Sequence, residues 1–283
     1  MSDEFKLEST PTLTFDPFGE QAAQAEEVKP QSVSEAAAEV QEVELTPEEQ
    51  KMVDDFAKQI DVTNSAMVMQ YGAGAQQKVA SFSETALKNV RSKDLGEVGN
   101  MISGVVTELK SFNAGEEEKG ILGIFKKNAN KMTAMKAKYA KVEANINTIS
   151  DQLEGHQVTL MKDVATLDQL YDLNMTYYKE LSMYIMAGKA KLKEIEEVTI
   201  PELAKKAEES GSQADAQAVS DMTALANRFE KKIHDLELTR IISMQMAPQI
   251  RLVQNNDVMM SDKIQSTLVN TIPLWKSQMV IAL

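Results

Sequence analysis

Apolar side chains recur at helical spacing along most of this chain. From Met132 they step by three and four residues through Met135, Tyr139, Val142, Ile146, Ile149 and Leu153. The same step continues through Leu160, Val164, Leu167, Tyr171, Met175, Tyr178, Ile185, Leu192 and Ile195. With Lys and Glu on the flanks, this is a coiled-coil pattern. Almost nothing interrupts it between Gly120 and Thr199-Ile200-Pro201, where it is expected to end. At the rise of an α-helix such an element reaches on the order of 100 Å. After a polar break at "SGSQAD", residues 210 to 215, a second stripe returns. It runs through Val219, Met222, Leu225, Phe229, Ile233, Leu236, Ile242, Met246, Ile250, Val253, Met260, Ile264 and Leu268. Two such stripes joined by a short break predict an elongated antiparallel coiled-coil helical hairpin.

Shorter helices precede the hairpin and are expected to pack at one end of it. Thr46-Pro47-Glu48-Glu49 reads as a helix start: a capping threonine, a proline at the first helical position and a glutamate closing a capping box. Val53, Phe56, Ile60 and Met67 then follow at helical spacing, and "YGAGAQQ" at 71 to 77 interrupts or kinks the helix. Its glycines lack a preceding strand and a third glycine, so they read as points of close helix contact rather than as a phosphate loop. "RSKDLGEVG" is a turn with Asp94 and Glu97 in a second capping box, and the next helix stops at Asn113-Ala114-Gly115. Strands have no place in this pattern. The fold class expected is all-α, organised as 1–45, a disordered acidic tail; 46–115, an N-terminal helical segment; and 116–283, the long hairpin.

Composition supports helices: 17 Met, 12 Gly, 7 Pro and only 5% aromatic residues. With no Cys, disulfides, thiolate metal sites and a cysteine nucleophile are excluded. No run of 18 apolar residues and no basic-then-apolar leader occurs, so the expected location is cytoplasmic. The net charge of −13 is uneven: residues 1 to 50 hold 13 Asp or Glu against two Lys, leaving the rest close to neutral. The tail is too polar to offset its ordering entropy, and nothing in the charge pattern calls for nucleic acid.

One stretch runs against the acidic balance. From Lys119 to Lys141 there are seven lysines and no acid. On a helix, Ile121, Phe125, Met132, Met135 and Tyr139 share a face, while Lys126, Lys127 and Lys131 lie mostly opposite. Opening with "GILGIFKK", this segment has the form of a basic amphipathic helix that meets an anionic membrane surface, where each Lys contributes about 1 kcal/mol. The membrane-contact candidates are Ile121, Leu122, Phe125, Lys126, Lys127 and Lys131. The competing reading is structural: the apolar stripe continues unbroken into the coiled coil, where a partner helix would cover it.

Catalytic chemistry finds no constellation. His156 and His234 are the only histidines, and neither has a second histidine four residues away. His156 lies between Leu153 and Leu160 as a half-buried core residue. No catalytic residues, metal site or cofactor are expected. The segment "HDLELTRIISMQMAPQIRLVQNND", residues 234 to 257, is the exception worth weighing. Arg240 and Arg251 are three helical turns apart on one face, with Gln254 and Asn255 just beyond. Ile242, Met246 and Ile250 flank them on one side, Ile241, Leu252 and Met259 on the other. A polar seam between two apolar flanks belongs inside a bundle, and its arginines need carboxylates, carbonyls or a bound anion. Asp163 and Asp168 read as salt-bridge partners, and Pro248 as a kink.

Several stretches together resemble the toxic anion resistance (TelA) family. They include "YGAGAQQKVASFSETAL", "LMKDVATLDQLYDLN", "ELSMYIMAGKAKL", "HDLELTR", "APQIRLVQNND", "KIQSTLVNTIPLWKSQMVIAL" and "GILGIFKK", spanning about residues 50 to 283. The resemblance implies a cytoplasmic bacterial protein linked with resistance to tellurite, other toxic anions or envelope-active agents. It implies no catalytic residues. Family members continue beyond "PLWKSQMVIAL" with further helix, so a truncated member is expected. The function expected is a non-enzymatic helical scaffold in this stress response, peripheral at the inner membrane. Its partner would be another protein, a second copy of itself through the long helices, or the anionic membrane surface. The alternative is a direct anion binder or enzyme using Arg240 and Arg251.

Overall fold

The computed structural model describes residues 11–15, 44–91, 95–113 and 128–282. Among them there is no strand. The helices are α1 (Pro47–Gln59), α2 (Ser65–Gln70), α3 (Ala73–Arg91), α4 (Leu95–Asn113), α5 (Asn128–Glu194), α6 (Ile200–Ser210), α7 (Gln213–Ser266) and α8 (Ile272–Ala282). The fold is all-α, as the sequence pattern requires.

Local chemistry accounts for most boundaries. Thr46 accepts a hydrogen bond from the Glu49 amide while the Glu49 carboxylate accepts one from the Thr46 amide, the capping box read from sequence. The break between α1 and α2 was not anticipated. The Asp61 carboxylate accepts from both the amide and the hydroxyl of Thr63, and Asn64 caps α2 by accepting from Ala66 and Met67. At Tyr71-Gly72 the chain turns with Gly72 at φ 67°, and α3 follows.

Pro201 does not end the long helix. Ile195–Thr199 forms a π turn in which the Ile200 amide reaches back to the Ile195 carbonyl, and α6 continues to Ser210. In a regular α-helix the proline ring would press on the carbonyl four residues earlier, which would also lose its donor. The widened turn absorbs both effects. The stop comes at Gly211, left-handed at φ 59°. Thr-Ile-Pro recurs at 271 to 273, where a second π turn, Thr267–Thr271, precedes α8.

Contacts divide the chain into two compact units: residues up to Ala86 with Tyr171–Pro248, and Leu87–Leu170 with Gln249–Leu283. The division falls within α3, α5 and α7. In the first unit α1, α2 and α3 pack on the C-terminal part of α5 and the N-terminal part of α7. Tyr71 sits at its centre, 1% exposed, edge-on to Tyr184 and Phe229. Asn174 bonds Ser243 and Gly188 touches Ile233, so α5 and α7 run antiparallel here. In the second unit Val98 and Val105 of α4 meet Val142, Ile146, Leu153 and Leu160 of α5, with Ile264, Ile272 and Trp275 closing the core. Gln157 with Gln265 and Asn147 with Lys276 give the same antiparallel sense.

Candidate functional site

The seam residues come out as helix-pairing groups. In the second unit the Arg251 guanidinium donates to the Asp168 carboxylate at 2.6 Å and to the Gln254 side-chain oxygen at 2.6 Å. Gln254 is buried, and its amide donates to the Val164 carbonyl on α5 at 3.4 Å. Hydrogen bonds from Gln254 and Arg251 hold the Asp168 carboxyl below the usual carboxylate range. Three groups, Arg251, Gln254 and Asp168, are therefore brought together, while Asn255 is exposed. Asp168 is the carboxylate the seam needed.

The expected burial of the seam needs correction. Arg251 and Asp168 retain 41% and 53% of their side-chain exposure. Ile250 is buried on one flank, but Leu252 and Met259 on the other are 62% and 50% exposed. The second flank is thus open at Leu252 and Met259, while Ile241 on it is half-buried. His156 is half-buried between buried Leu153 and Leu160, as its spacing predicts.

Arg240 belongs to the first unit and is half-buried. Its charge acts on Glu237, which also takes Lys189 at 2.5 Å and His234 at 3.5 Å. Burial pushes the Glu237 carboxyl up, but Lys189, His234 and Arg240 outweigh it and hold the group below its ordinary range. Lys189, His234 and Glu237 border an open groove of about 520 Å³, lined also by Lys193, Lys231, Glu196 and Glu230. Sequence reasoning missed it, because its two walls lie some forty residues apart on α5 and α7. Its mixed charge gives an anion no net cationic cradle. Deeper in this unit, Lys78 pairs with buried Glu180 at 3.2 Å, and burial pushes the Lys232 ammonium down while it donates a hydrogen bond to the Gln76 side-chain oxygen at 3.0 Å.

The membrane-contact candidates Ile121, Leu122, Phe125, Lys126 and Lys127 lie outside the described residues. Lys131 falls in α5 with its side chain outside them too. Farther along α5, Lys136 and Lys141 are exposed. No helix among the described residues is long and apolar enough to cross a membrane, and no group of three or more acidic or histidine side chains among them is arranged to hold a metal ion.

A feature absent from the sequence reading lies at the far N-terminal end. Residues 11–15, inside the stretch expected to be an unpacked tail, contact the first unit. The Thr14 amide donates to the Tyr184 hydroxyl at 2.7 Å, and that hydroxyl donates to the Thr14 carbonyl at 2.9 Å. The Phe15 ring stacks on Phe56 at 4.2 Å. Phe56 in turn meets Tyr184 edge-on at 5.6 Å, and the Tyr71 hydroxyl donates to the Tyr184 carbonyl at 2.6 Å. Burial pushes both tyrosine hydroxyls up, Tyr184 to about 12, so each stays protonated and able to donate. The only signal in sequence was the cluster Leu13, Phe15 and Phe18 within an acidic stretch.

Comparison with known proteins places this helical architecture. Residues 53–283 match the family described as toxic anion resistance protein (TelA). A TelA-like protein of Staphylococcus epidermidis is 41% identical over 250 residues, 87% of this chain and 66% of its own length. A TelA-like protein of Staphylococcus aureus is 38% identical over 248 residues, covering 86% and 66%. An uncharacterized protein of Listeria monocytogenes is 40% identical over 246 residues, covering 84% and 61%. The chain thus spans just under two thirds of the length of these relatives. No solved structure matches it.

Proposed function

The chain belongs to the toxic anion resistance (TelA) family, and from that premise we propose that it acts as a non-enzymatic helical scaffold in the cell's response to toxic anions and envelope stress. It works in the cytoplasm, at the inner surface of the membrane, by presenting helix faces to another protein. The observation that carries this reading is the use of the seam. Arg251, the side chain best suited to hold an oxyanion, is engaged with Asp168 and Gln254. An anion would have to displace a carboxylate that is already in bonding distance. Arg240 likewise lies among charges of both signs around Glu237. The lysine-rich sequence from Lys119 to Lys141 supports the membrane location, with Lys126, Lys127 and Lys131 as its contacts.

The competing reading, an anion binder or enzyme working through Arg240 and Arg251, is separated by melting. A ligand that binds only the folded state raises its melting temperature by mass action. The scaffold reading expects no rise in wild-type melting temperature with added tellurite, phosphate or sulfate. It also expects the double variant Arg240→Met, Arg251→Met to remain folded. An anion-dependent rise in the wild type that disappears in the double variant would establish the direct binder instead. The membrane location is tested in parallel by sedimentation with anionic liposomes. Binding that is absent, or indifferent to Lys126, Lys127 and Lys131 changed to Glu, removes it.

A further inference from the structure

The contact at Thr14 and Phe15 has the chemistry of ligand recognition rather than of core packing. A single side-chain hydroxyl, that of Tyr184, grips both the amide and the carbonyl of Thr14. Those groups belong to the main chain, so the grip is available to any extended residue presented at that point. Selectivity comes from the next position, where the Phe15 ring lies flat on Phe56 with an interplanar angle of 14°. The receiving surface is complete without the segment. Phe56, Tyr71 and Tyr184 pack edge-on or stacked against one another, and the Tyr71 hydroxyl is tied to the Tyr184 carbonyl. A site built before its occupant arrives loses little entropy in binding it.

The occupant, by contrast, contributes little to the fold. Thr12 and Thr14 are exposed and Pro11, Leu13 and Phe15 are only half-buried, while Phe56 and Tyr184 are 6% and 2% exposed. Among the described contacts, the main-chain donor and acceptor of Thr14 bond Tyr184, and the Phe15 ring stacks on Phe56. A hold of that kind belongs to short-peptide recognition, in which main-chain bonds give affinity and one or two side chains give selectivity.

We infer that the face formed by Tyr184 and Phe56, backed by Tyr71, is a recognition site for a short extended peptide with an aromatic residue following the gripped one, occupied in this chain by its own segment Pro11–Phe15. The segment is a removable ligand held in cis. The same site accepts that sequence when it is offered as a separate molecule, once the resident copy is displaced. This assigns the N-terminal region a docking role that the acidic-tail reading did not contain.

Tethering decides how the site behaves. A linked segment competes at an effective concentration on the order of 1 mM, so a free peptide of about 0.1 mM affinity is weakened roughly tenfold by the resident copy. The experiment uses the full-length chain and a fluorescein-labelled peptide of residues 9–17, "STPTLTFDP", read by fluorescence anisotropy. The Phe15→Ala chain should bind the peptide at least tenfold more tightly than wild type. Adding Tyr184→Phe to that chain should weaken binding at least fivefold with the circular dichroism spectrum unchanged. A peptide carrying Phe15→Ala should not bind. A Phe15→Ala chain without saturable binding, equal binding by wild type and Phe15→Ala, or indifference to Tyr184→Phe would each overturn the proposal. Hydrogen exchange on the unlabelled chain gives an independent check that does not depend on the alanine variant. Tyr184→Phe should speed exchange of the Thr14 amide at least tenfold while leaving α1 and α5 amides unchanged. Unaltered Thr14 exchange would refute the grip itself.

Discussion

Replacing Ser243 by Ala should cost this protein about 1–3 kcal/mol, although the change removes one oxygen. Ser243 and Asn174 are both fully buried in the first unit, at 0% exposure. The Asn174 amide donates to the Ser243 carbonyl at 2.9 Å, and the Ser243 hydroxyl donates to the Asn174 side-chain oxygen at 2.9 Å. Alanine leaves that side-chain oxygen sealed from water with its donor gone, and the penalty is the full desolvation of an amide oxygen. Asn174→Leu should be milder, because the Ser243 hydroxyl lies within 3.3 Å of the residue-174 main-chain carbonyl and can turn to it. The double variant, Asn174→Leu with Ser243→Ala, replaces the pair by apolar groups of similar volume. It should be more stable than Ser243→Ala alone, a coupling of at least about 1 kcal/mol. Urea unfolding followed by far-ultraviolet circular dichroism reads the change. Trp275 fluorescence reports the second unit and tests whether the two units unfold together. A Ser243→Ala chain within about 0.3 kcal/mol of wild type, or a double variant whose loss is the sum of the singles, would refute the argument.

Two glycines of α5 give opposite signs for the same substitution. A Cβ at Gly155 meets nothing within 4 Å, so Gly155→Ala should stabilise by about 0.5–1 kcal/mol through helix propensity. At Gly188 it would lie 2.9 Å from two carbons of Ile233 and 3.2 Å from the Tyr71 hydroxyl, and overpacking of about 1–3 kcal/mol should outweigh that gain. Thermal melts of the two variants check both. Acid should also destabilise the first unit through Glu49. Burial pushes its carboxyl up, but Lys179 at 2.6 Å and Thr46 outweigh this and hold it below the ordinary range. A group depressed in the folded state stabilises above its unfolded value, about 4.3 for Glu, and that contribution is lost as pH falls through the folded value. Melting temperature plotted from pH 6 to pH 3 should therefore fall, and fall less steeply in Glu49→Gln.

What could be read from sequence was what is decided locally. The Thr46 to Glu49 capping box and the turn at Tyr71-Gly72 each depend on residues within one helical turn, and both appear where their chemistry puts them. The break at Ile60 to Asn64 depends on an equally local signal, Asp61-x-Thr63-Asn64, which the apolar stripe through Ile60 and Met67 masked. Pro201 misled for a different reason. The rule that proline ends a helix assumes bonds four residues apart, and a π turn reaching five residues back removes the conflict. Pairings across the chain were beyond reach. Nothing in the spacing of Arg251 selects Asp168, and nothing in the N-terminal stretch points from Thr14 to Tyr184, because both pairings depend on how distant segments come together.

The polar residues buried or half-buried between α5 and α7 bear on the function through register. An apolar stripe with a heptad step is nearly the same after sliding by seven residues, so its Leu, Ile and Met side chains alone specify the pairing weakly. Polar groups discriminate, because a slipped register leaves them without partners in a medium where that is costly. Asn174 with Ser243 performs this role in the first unit, and Arg251 with Asp168 and the Val164 carbonyl performs it in the second. The residues that looked most like chemistry in the sequence are thus consumed in fixing which helix faces which. What remains for interaction is surface: the exposed Leu252 and Met259 edge of α7, and the aromatic face that holds Thr14 and Phe15. A protein whose polar interior sets register and whose surface already recognises an extended segment is built to present contacts, and the scaffold role proposed for it draws on those two features together.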